Sequence, residues 1–111
     1  MRFLKRLIVA WLLITAFDVG AAVRAQNFLI SFQVTTVANT VSTFPSNTLY
    51  NGIACFASSS NTVPIYIGPP TVTTSTGAVL QAGQGWSAAV NNSNLVAVIS
   101  TSAASISCWG N

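Results

Sequence analysis

The chain has 111 residues, of which 51% are hydrophobic and 5% are charged, and its charged side chains all lie near the N-terminus, at Arg2, Lys5, Arg6, Asp18 and Arg24. The formal net charge of +3 therefore describes that first stretch, and the rest of the chain has no His, Asp, Glu, Lys or Arg for proton transfer, metal binding or contact with a phosphate backbone. We expect a protein that is not an enzyme, has no catalytic residue, holds no metal or cofactor, and binds no nucleic acid.

Residues 1 to 25 have the layout of a secretory signal peptide, with a basic start, an apolar run over residues 7 to 17, and small residues up to Ala25. The apolar run is shorter than the roughly 20 residues that span a bilayer, so no permanent membrane anchor is expected. Cleavage is predicted after Ala25, with Ala22 as the alternative site. A signal helix followed by a secreted domain over residues 26 to 111 is the favoured interpretation, and an N-terminal helix retained in the mature protein is the other.

The clearest predicted strand runs from residue 27 to residue 37. Apolar and polar side chains alternate along it, which gives it one apolar face, formed by Phe28, Ile30, Phe32 and Val34. An ordinary first strand within its own sheet is the favoured interpretation. The alternative is a strand that is added to the sheet of a neighbouring subunit.

The middle of the chain has short strands separated by turn residues. An irregular crossing ends at an Asn51-Gly52 turn, and a second strand follows from residue 52 to residue 59. Residues 63 to 67 form another strand, which Pro64 places at a sheet edge. Gly68 and two prolines must then leave the ladder, and residues 71 to 77 are predicted as a short strand or extended arm.

The C-terminal third continues this pattern, with an apolar step at residues 78 to 81 and strands around residues 86 to 90, 94 to 101 and 104 to 110. In total, about 7 to 9 short strands lie at intervals of about ten residues. The sequence therefore predicts one small all-β domain, a β-sandwich or jelly-roll-like barrel.

Cys55 and Cys108 are the two cysteines of the chain. In a small exported domain such a pair favours a disulfide, here one that ties the second strand to the last. Closing a loop of this length stabilises a fold by about 4 kcal/mol on the loop-entropy model. A free, reactive pair of thiols is the alternative.

Several short motifs occur in a fixed order between residues 55 and 109, namely Pro64 to Gly68, Val72 to Gly77, Leu80 with Ala82 and Gly83, and Leu95 to Ile99. In order and spacing they resemble a group of small β-structured virion proteins of tailed phages. Gln84 stands where those proteins often have an acidic residue, and the leader and cysteine pair are not typical of them. The resemblance implies a β fold and a role in a surface assembly, and no catalytic residue.

A mature chain without charged side chains meets other copies of itself without long-range repulsion. We therefore expect a secreted structural protein that self-assembles into an extracellular fibre, tube or coat. The candidate assembly contacts are Phe28, Ile30, Phe32, Tyr66, Pro69, Pro70 and Val72. The alternative is a module that binds a glycan, a cell surface or another particle, with Trp86 and Trp109 as stacking residues, although packing in the core and contacts between subunits are favoured for both.

Overall fold

The computed structural model describes residues 29 to 111, so the predicted signal peptide and Phe28 lie outside the described residues. Eight short strands and one 3-10 turn make up this part of the chain. The strands are β1 (Ile30–Thr35), β2 (Ser42–Thr43), β3 (Ile53–Ala57), β4 (Ile65–Gly68), β5 (Ala78–Leu80), β6 (Gly85–Ala88), β7 (Ala97–Ile99) and β8 (Ser105–Gly110), and the 3-10 turn is Ser93–Leu95. Within residues 29 to 111, no helix has the length and apolar character needed to cross a membrane.

The strands form two antiparallel four-stranded sheets. Sheet I has the order β1-β8-β3-β6, and sheet II has the order β2-β7-β4-β5. The first strand therefore pairs with the last, the second with the seventh, the third with the sixth and the fourth with the fifth. A long antiparallel ribbon that is wrapped into two facing sheets has this connectivity, which is the jelly-roll arrangement. The predicted all-β sandwich is confirmed.

The core lies between the two sheets and consists of the inward-facing residues of both. In sheet I, the apolar positions of β1 share a face with alternate residues of the neighbouring strands, and Phe32, Cys108, Cys55 and Trp86 form one continuous row across the sheet. In sheet II, Ile65, Ile67 and Val98 point inward and are buried. The rings of Phe32 and Phe44 meet edge to face at 5.1 Å and connect β1 to the segment after β2.

The predicted disulfide is present, and it joins directly opposite residues of two neighbouring strands. Cys55 of β3 and Cys108 of β8 are paired in the ladder, are bonded through their sulfur atoms, and are buried in the core. The bond closes a loop with a sequence separation of 53 residues. It therefore fixes the register of the two central strands of sheet I.

Loops at the ends of the sandwich are held by neutral side chains in place of ion pairs. Asn61 donates to the carbonyl oxygen of Ser105 and accepts from its N–H, each at 2.9 Å. The Asn92 side-chain oxygen accepts from the N–H groups of Asn47 and Asn94. These side chains form the hydrogen bonds that the loop backbone does not make with other backbone groups. No buried side-chain nitrogen or oxygen atom of the described residues lacks a hydrogen-bond partner.

Two of the predicted elements are wrong in their placement. β4 is an interior strand between β7 and β5, not an edge, because Pro64 precedes the first residue of the strand and removes no ladder hydrogen bond. Residues 71 to 77 are not a strand. The Thr73 N–H donates to the Thr76 hydroxyl, and the Gly77 N–H donates to the Thr73 carbonyl oxygen, so this segment closes on itself as a turn.

Candidate functional site

The outer edge of β1, which we call the open edge, presents backbone groups that sheet I does not use. In an antiparallel pair, residues that bond to the partner alternate with residues whose N–H and C=O point away from it. The N–H of Thr36 donates to the carbonyl oxygen of Ala104 at 2.8 Å. In the same register, the backbone groups of the even-numbered residues of β1 form hydrogen bonds with β8. The N–H and C=O groups of Ser31, Gln33 and Thr35 therefore point outward.

Within residues 29 to 111, no other strand pairs with the open edge. Most natural edge strands carry a lysine, a proline, a bulge or an inward-pointing charge that prevents pairing with another molecule. β1 is six residues long, pairs with β8 in continuous register and contains none of these features. Among the described residues, β1 is therefore an edge strand without the features that usually protect such edges.

β6 forms the opposite edge of sheet I. It is four residues long, and its partner β3 lies on one side of it. Cys55 and Trp86 are paired, and the N–H of Ala57 donates to the carbonyl oxygen of Gln84. By the same alternation, the backbone groups of Gly85 and Ser87 point away from the sheet. Sheet I thus has an available edge on each side.

The predicted assembly residues differ in how exposed they are in the structure. Ile30 and Phe32 lie on the inward face of β1 and pack against the core, so this strand offers its backbone edge and not its apolar side chains. Pro69 and Pro70 are exposed, and Tyr66 is half-buried on the outer face of sheet II. Val72 is 2% exposed and is therefore not available as a subunit contact in the folded chain.

Val72 is buried because residues 69 to 77, which we call the covering loop, fold over the outer face of sheet II. Val72 packs there with Tyr66, Ala97 and Ile99 in a second apolar cluster. A Cβ atom at Gly77 would lie 2.8 Å from both the Tyr66 Cβ atom and a Val72 methyl carbon, so only a glycine allows this close approach. The part of the outer face of sheet II that β4 and β7 form is thus covered by the chain itself.

The outer face of sheet I carries an aromatic stack. The rings of Phe56 and Trp109 are 5.1 Å apart and nearly parallel, at 13°. They remain 44% and 40% exposed, respectively. Phe56 also lies against Gly85 of β6, where a Cβ atom would come within 2.7 Å of the ring. The absence of a side chain at Gly85 therefore gives the stack its place on the sheet.

Trp86 and Trp109 do not form one platform. Trp86 lies on the inward face of β6 and packs against the core, whereas Trp109 lies on the outward face of β8. The physical reason is the strand alternation, since Trp86 shares a row with Cys55 and Trp109 follows Cys108 by one residue. The partner of Trp109 is Phe56, which the sequence analysis did not single out.

Beside Trp109 lies an open cleft of about 460 Å³, which we call the Trp109 cleft. Trp109, Ala54 and Ser87 form one row across three strands at its base. Asn51 and Asn111 border its end, and the Asn51 side-chain amide donates to the Asn111 side-chain oxygen at 3.1 Å. A smaller neighbouring depression of about 180 Å³ is lined in part by Tyr50, whose side chain is highly exposed.

The backbone at Gly52 positions the Asn51 side of this cleft. Gly52 has φ +93°, and a Cβ atom there would lie 2.3 Å from the Ala88 carbonyl oxygen. The N–H groups of Tyr50 and Asn51 both donate to the Asn111 carbonyl oxygen at 2.7 Å. The loop before β3 and the residue after β8 are therefore held together at the end of the cleft.

The described residues contain no group of three or more His, Cys, Asp or Glu side chains that could hold a metal ion. The open edge offers main-chain donors and acceptors, and the Trp109 cleft offers an aromatic face with amide and hydroxyl groups.

Comparison with known proteins does not place the chain in a family. No protein-family model matches it, and neither a curated protein nor a solved structure is significantly similar to it.

Proposed function

We propose that the mature chain is a secreted structural subunit that assembles with copies of itself through the open edge of β1. The observation that carries this proposal is a six-residue edge strand, in regular register with its neighbour, without a charge or a proline. Each outward N–H and C=O of Ser31, Gln33 and Thr35 can form the next rung of a ladder with another copy.

Sheet I offers a geometrically consistent partner for that edge. Strand directions alternate across the antiparallel order β1-β8-β3-β6, so β6 runs antiparallel to β1. If β6 of one copy pairs with β1 of the next, the alternation continues across the junction. Contacts between two different edges are heterologous and produce open polymers unless the rotation closes a ring. This arrangement leads to a fibre or tube, whereas pairing of two β1 edges leads to a two-fold dimer.

Three further observations support an extracellular, structural role. The buried Cys55–Cys108 disulfide belongs to a class of bond that persists in oxidising compartments. The N-terminal sequence has the features of a secretory leader. Jelly rolls serve as capsid subunits as well as lectins, so the fold accommodates the role that the resemblance to small phage virion proteins implies.

Proline scanning of the open edge tests the proposal. The Gln33 N–H points outward, so Gln33→Pro removes a donor for the next subunit without removing a bond to β8, while Gln33→Ala keeps the donor and serves as the matched control. We expect regular polymers in negative-stain microscopy for the wild-type protein and Gln33→Ala, and folded monomers by circular dichroism and sedimentation for Gln33→Pro.

Two results would contradict this function. A wild-type protein that stays monomeric at high concentration would exclude self-assembly. Polymers of Gln33→Pro that match the wild type would show that assembly does not use the open edge. The corresponding variants at β6, Ser87→Pro and its control Ser87→Ala, test whether β6 is the edge that pairs with β1 of the next copy.

The second candidate function is a glycan-binding module. It is favoured by the Trp109 cleft, which lies on the face of sheet I and has side chains that the edge-to-edge contact does not require.

A further inference from the structure

We propose that the Trp109 cleft is a binding site for a neutral saccharide, with one sugar ring stacked on the indole of Trp109. This site is separate from the open edge of β1, and the proposal does not depend on self-assembly. The cleft volume of about 460 Å³ lies within the roughly 300 to 1,000 Å³ that is usual for small-ligand sites.

The aromatic wall of the cleft is fixed before any ligand arrives. Trp109 is supported by the nearly parallel ring of Phe56, which itself lies against Gly85. The indole is 40% exposed on β8, which is a central strand of sheet I. A partly exposed aromatic ring that is already packed on one side suits the apolar face of a pyranose, because less side-chain entropy remains to be lost on binding.

The end of the cleft supplies directional hydrogen bonds. The bond between Asn51 and Asn111 uses one amide hydrogen of Asn51 and the side-chain oxygen of Asn111. Among the described residues, it leaves the Asn51 oxygen as an acceptor and the Asn111 amide as a donor, and Ser87 adds a hydroxyl. Adjacent acceptor and donor groups match the neighbouring hydroxyl groups of a sugar, each of which both donates and accepts.

The base of the cleft is made of small residues and lets a ring approach the sheet. Ala54 stands between Trp109 and Ser87, and Gly52, Ala88 and Ala89 complete the lining. The main chain at Gly52 lies so close to Ala88 that a Cβ atom would meet the Ala88 carbonyl oxygen, so closely packed main chain forms part of the lining.

Charge selects the chemical class of the ligand. No residue from 29 to 111 carries a charged side chain, so a phosphorylated, sulfated or carboxylated ligand would find no cation to pair with. A purely apolar partner would leave the amides and the Ser87 hydroxyl without hydrogen bonds, which is unfavourable. An uncharged molecule with both an apolar face and hydroxyl groups satisfies the whole lining.

The test uses the mature, disulfide-bonded protein and a panel of neutral oligosaccharides of glucose, N-acetylglucosamine, mannose, galactose and xylose. Binding is followed by tryptophan fluorescence and by titration calorimetry. We expect at least one oligosaccharide to bind with a change in tryptophan emission. Trp109→Ala should weaken this binding by about tenfold or more, and Trp109→Phe should retain part of it.

Ala54→Gln provides a second variant that does not alter the aromatic stack. The longer side chain lies on the exposed face of β3 and occupies the cleft, so it should weaken binding to a similar degree in a protein that folds normally. Val79→Ala is the matched control, because it removes an exposed apolar side chain from sheet II and should leave saccharide binding unchanged.

Three outcomes would overturn the proposal. The first is the absence of binding to every oligosaccharide of the panel. The second is binding that neither Trp109→Ala nor Ala54→Gln weakens, which would place the sugar elsewhere. The third is a Trp109→Ala variant that binds sugar normally but no longer assembles, which would make the aromatic stack a subunit contact.

Discussion

The two sheets of this domain have similar inner faces and very different outer faces. The outer face of sheet II is covered over β4 and β7 by the loop from residue 69 to residue 77, with Val72 packed against Tyr66, Ala97 and Ile99. The outer face of sheet I has no such cover among the described residues and displays the Phe56–Trp109 stack and the cleft beside it.

The two outer faces therefore differ in how far the chain itself covers their apolar side chains. On the outer face of sheet II, the loop from residue 69 to residue 77 packs Val72 against Ala97 and Ile99 and removes these side chains from water, while Val79 stays half exposed. On the outer face of sheet I, the Phe56 and Trp109 side chains stay 44% and 40% exposed. We infer that sheet I is the functional side of the sandwich, at its edges and on its face.

Removing the disulfide should produce the largest loss of stability, and it acts on sheet I. We expect the double variant Cys55→Ala, Cys108→Ala to lose about 4 kcal/mol, because the denatured chain is no longer cross-linked. Urea unfolding of the variant and the wild type measures this difference. Ser107→Ala, at an exposed position of β8, should change stability little. A double variant as stable as the wild type would mean that packing alone holds β3 against β8.

The glycine at the end of the Trp109 cleft should show the next largest effect. Gly52→Ala places a Cβ atom against the Ala88 carbonyl oxygen in a backbone with positive φ, and we expect a loss of about 3 kcal/mol. Gly83 also has positive φ but has open space around it, so Gly83→Ala should lose only about 1 kcal/mol. Thermal unfolding compares the two. Equal losses would show that the loop before β3 shifts freely and does not shape the cleft.

Loosening the packing of the covering loop on sheet II should lower the stability by a moderate amount. Val72→Ala removes two buried methyl groups from the second apolar cluster, and we expect a loss of about 2 kcal/mol in urea unfolding. Thr74→Ala, at an exposed position of the same loop, should stay within about 0.5 kcal/mol of the wild type. If Val72→Ala were equally harmless, the covering loop would not be packed and the contrast between the sheets would disappear.

The smallest expected effect is that of pH on the stability of the domain, and it does not distinguish the two sheets. No side chain from residue 26 to residue 111 is Asp, Glu, His, Lys or Arg, so the folded and unfolded states bind equal numbers of protons over a wide range. The stability of the mature protein should therefore vary by less than about 0.5 kcal/mol between about pH 3 and pH 9. A steep acid transition in thermal melts would contradict this expectation.

Much of the fold could be predicted from local patterns. The alternation along β1, the two-residue period around Cys55, and the regular spacing of turn residues indicate an all-β sandwich with a disulfide, and the structure confirms both. The pattern fails at residues 71 to 77, since threonine has high strand propensity but its hydroxyl group also forms local hydrogen bonds, and the Thr73 and Thr76 hydroxyl groups close a turn here. Local composition does not distinguish these outcomes, because tertiary burial of Val72 decides between them.

The site was predicted less well than the fold. Aromatic residues alone suggested Trp86 and Trp109 together, although strand alternation places them on opposite faces. The cysteine pair contains the missing information, because a direct Cys55–Cys108 pair in an antiparallel ladder brings Trp109 opposite Ala54 and places Phe56 diagonally beside it. The loop residues Asn51 and Asn111 could not be found in this way, since their positions depend on the turn at Gly52.

Amide hydrogen exchange at β1 tests the central claim most directly, because one strand contains both the probe and its control. The N–H groups of Ile30, Phe32 and Val34 point toward β8 and bond to it, whereas those of Ser31, Gln33 and Thr35 point away from β8. In the monomeric protein, the amides bonded to β8 should exchange slowly and the other three rapidly. In the assembled protein, we predict that the amides of Ser31, Gln33 and Thr35 become as protected as those bonded to β8. Rapid exchange at Ser31, Gln33 and Thr35 in the assembled state would contradict assembly through the open edge.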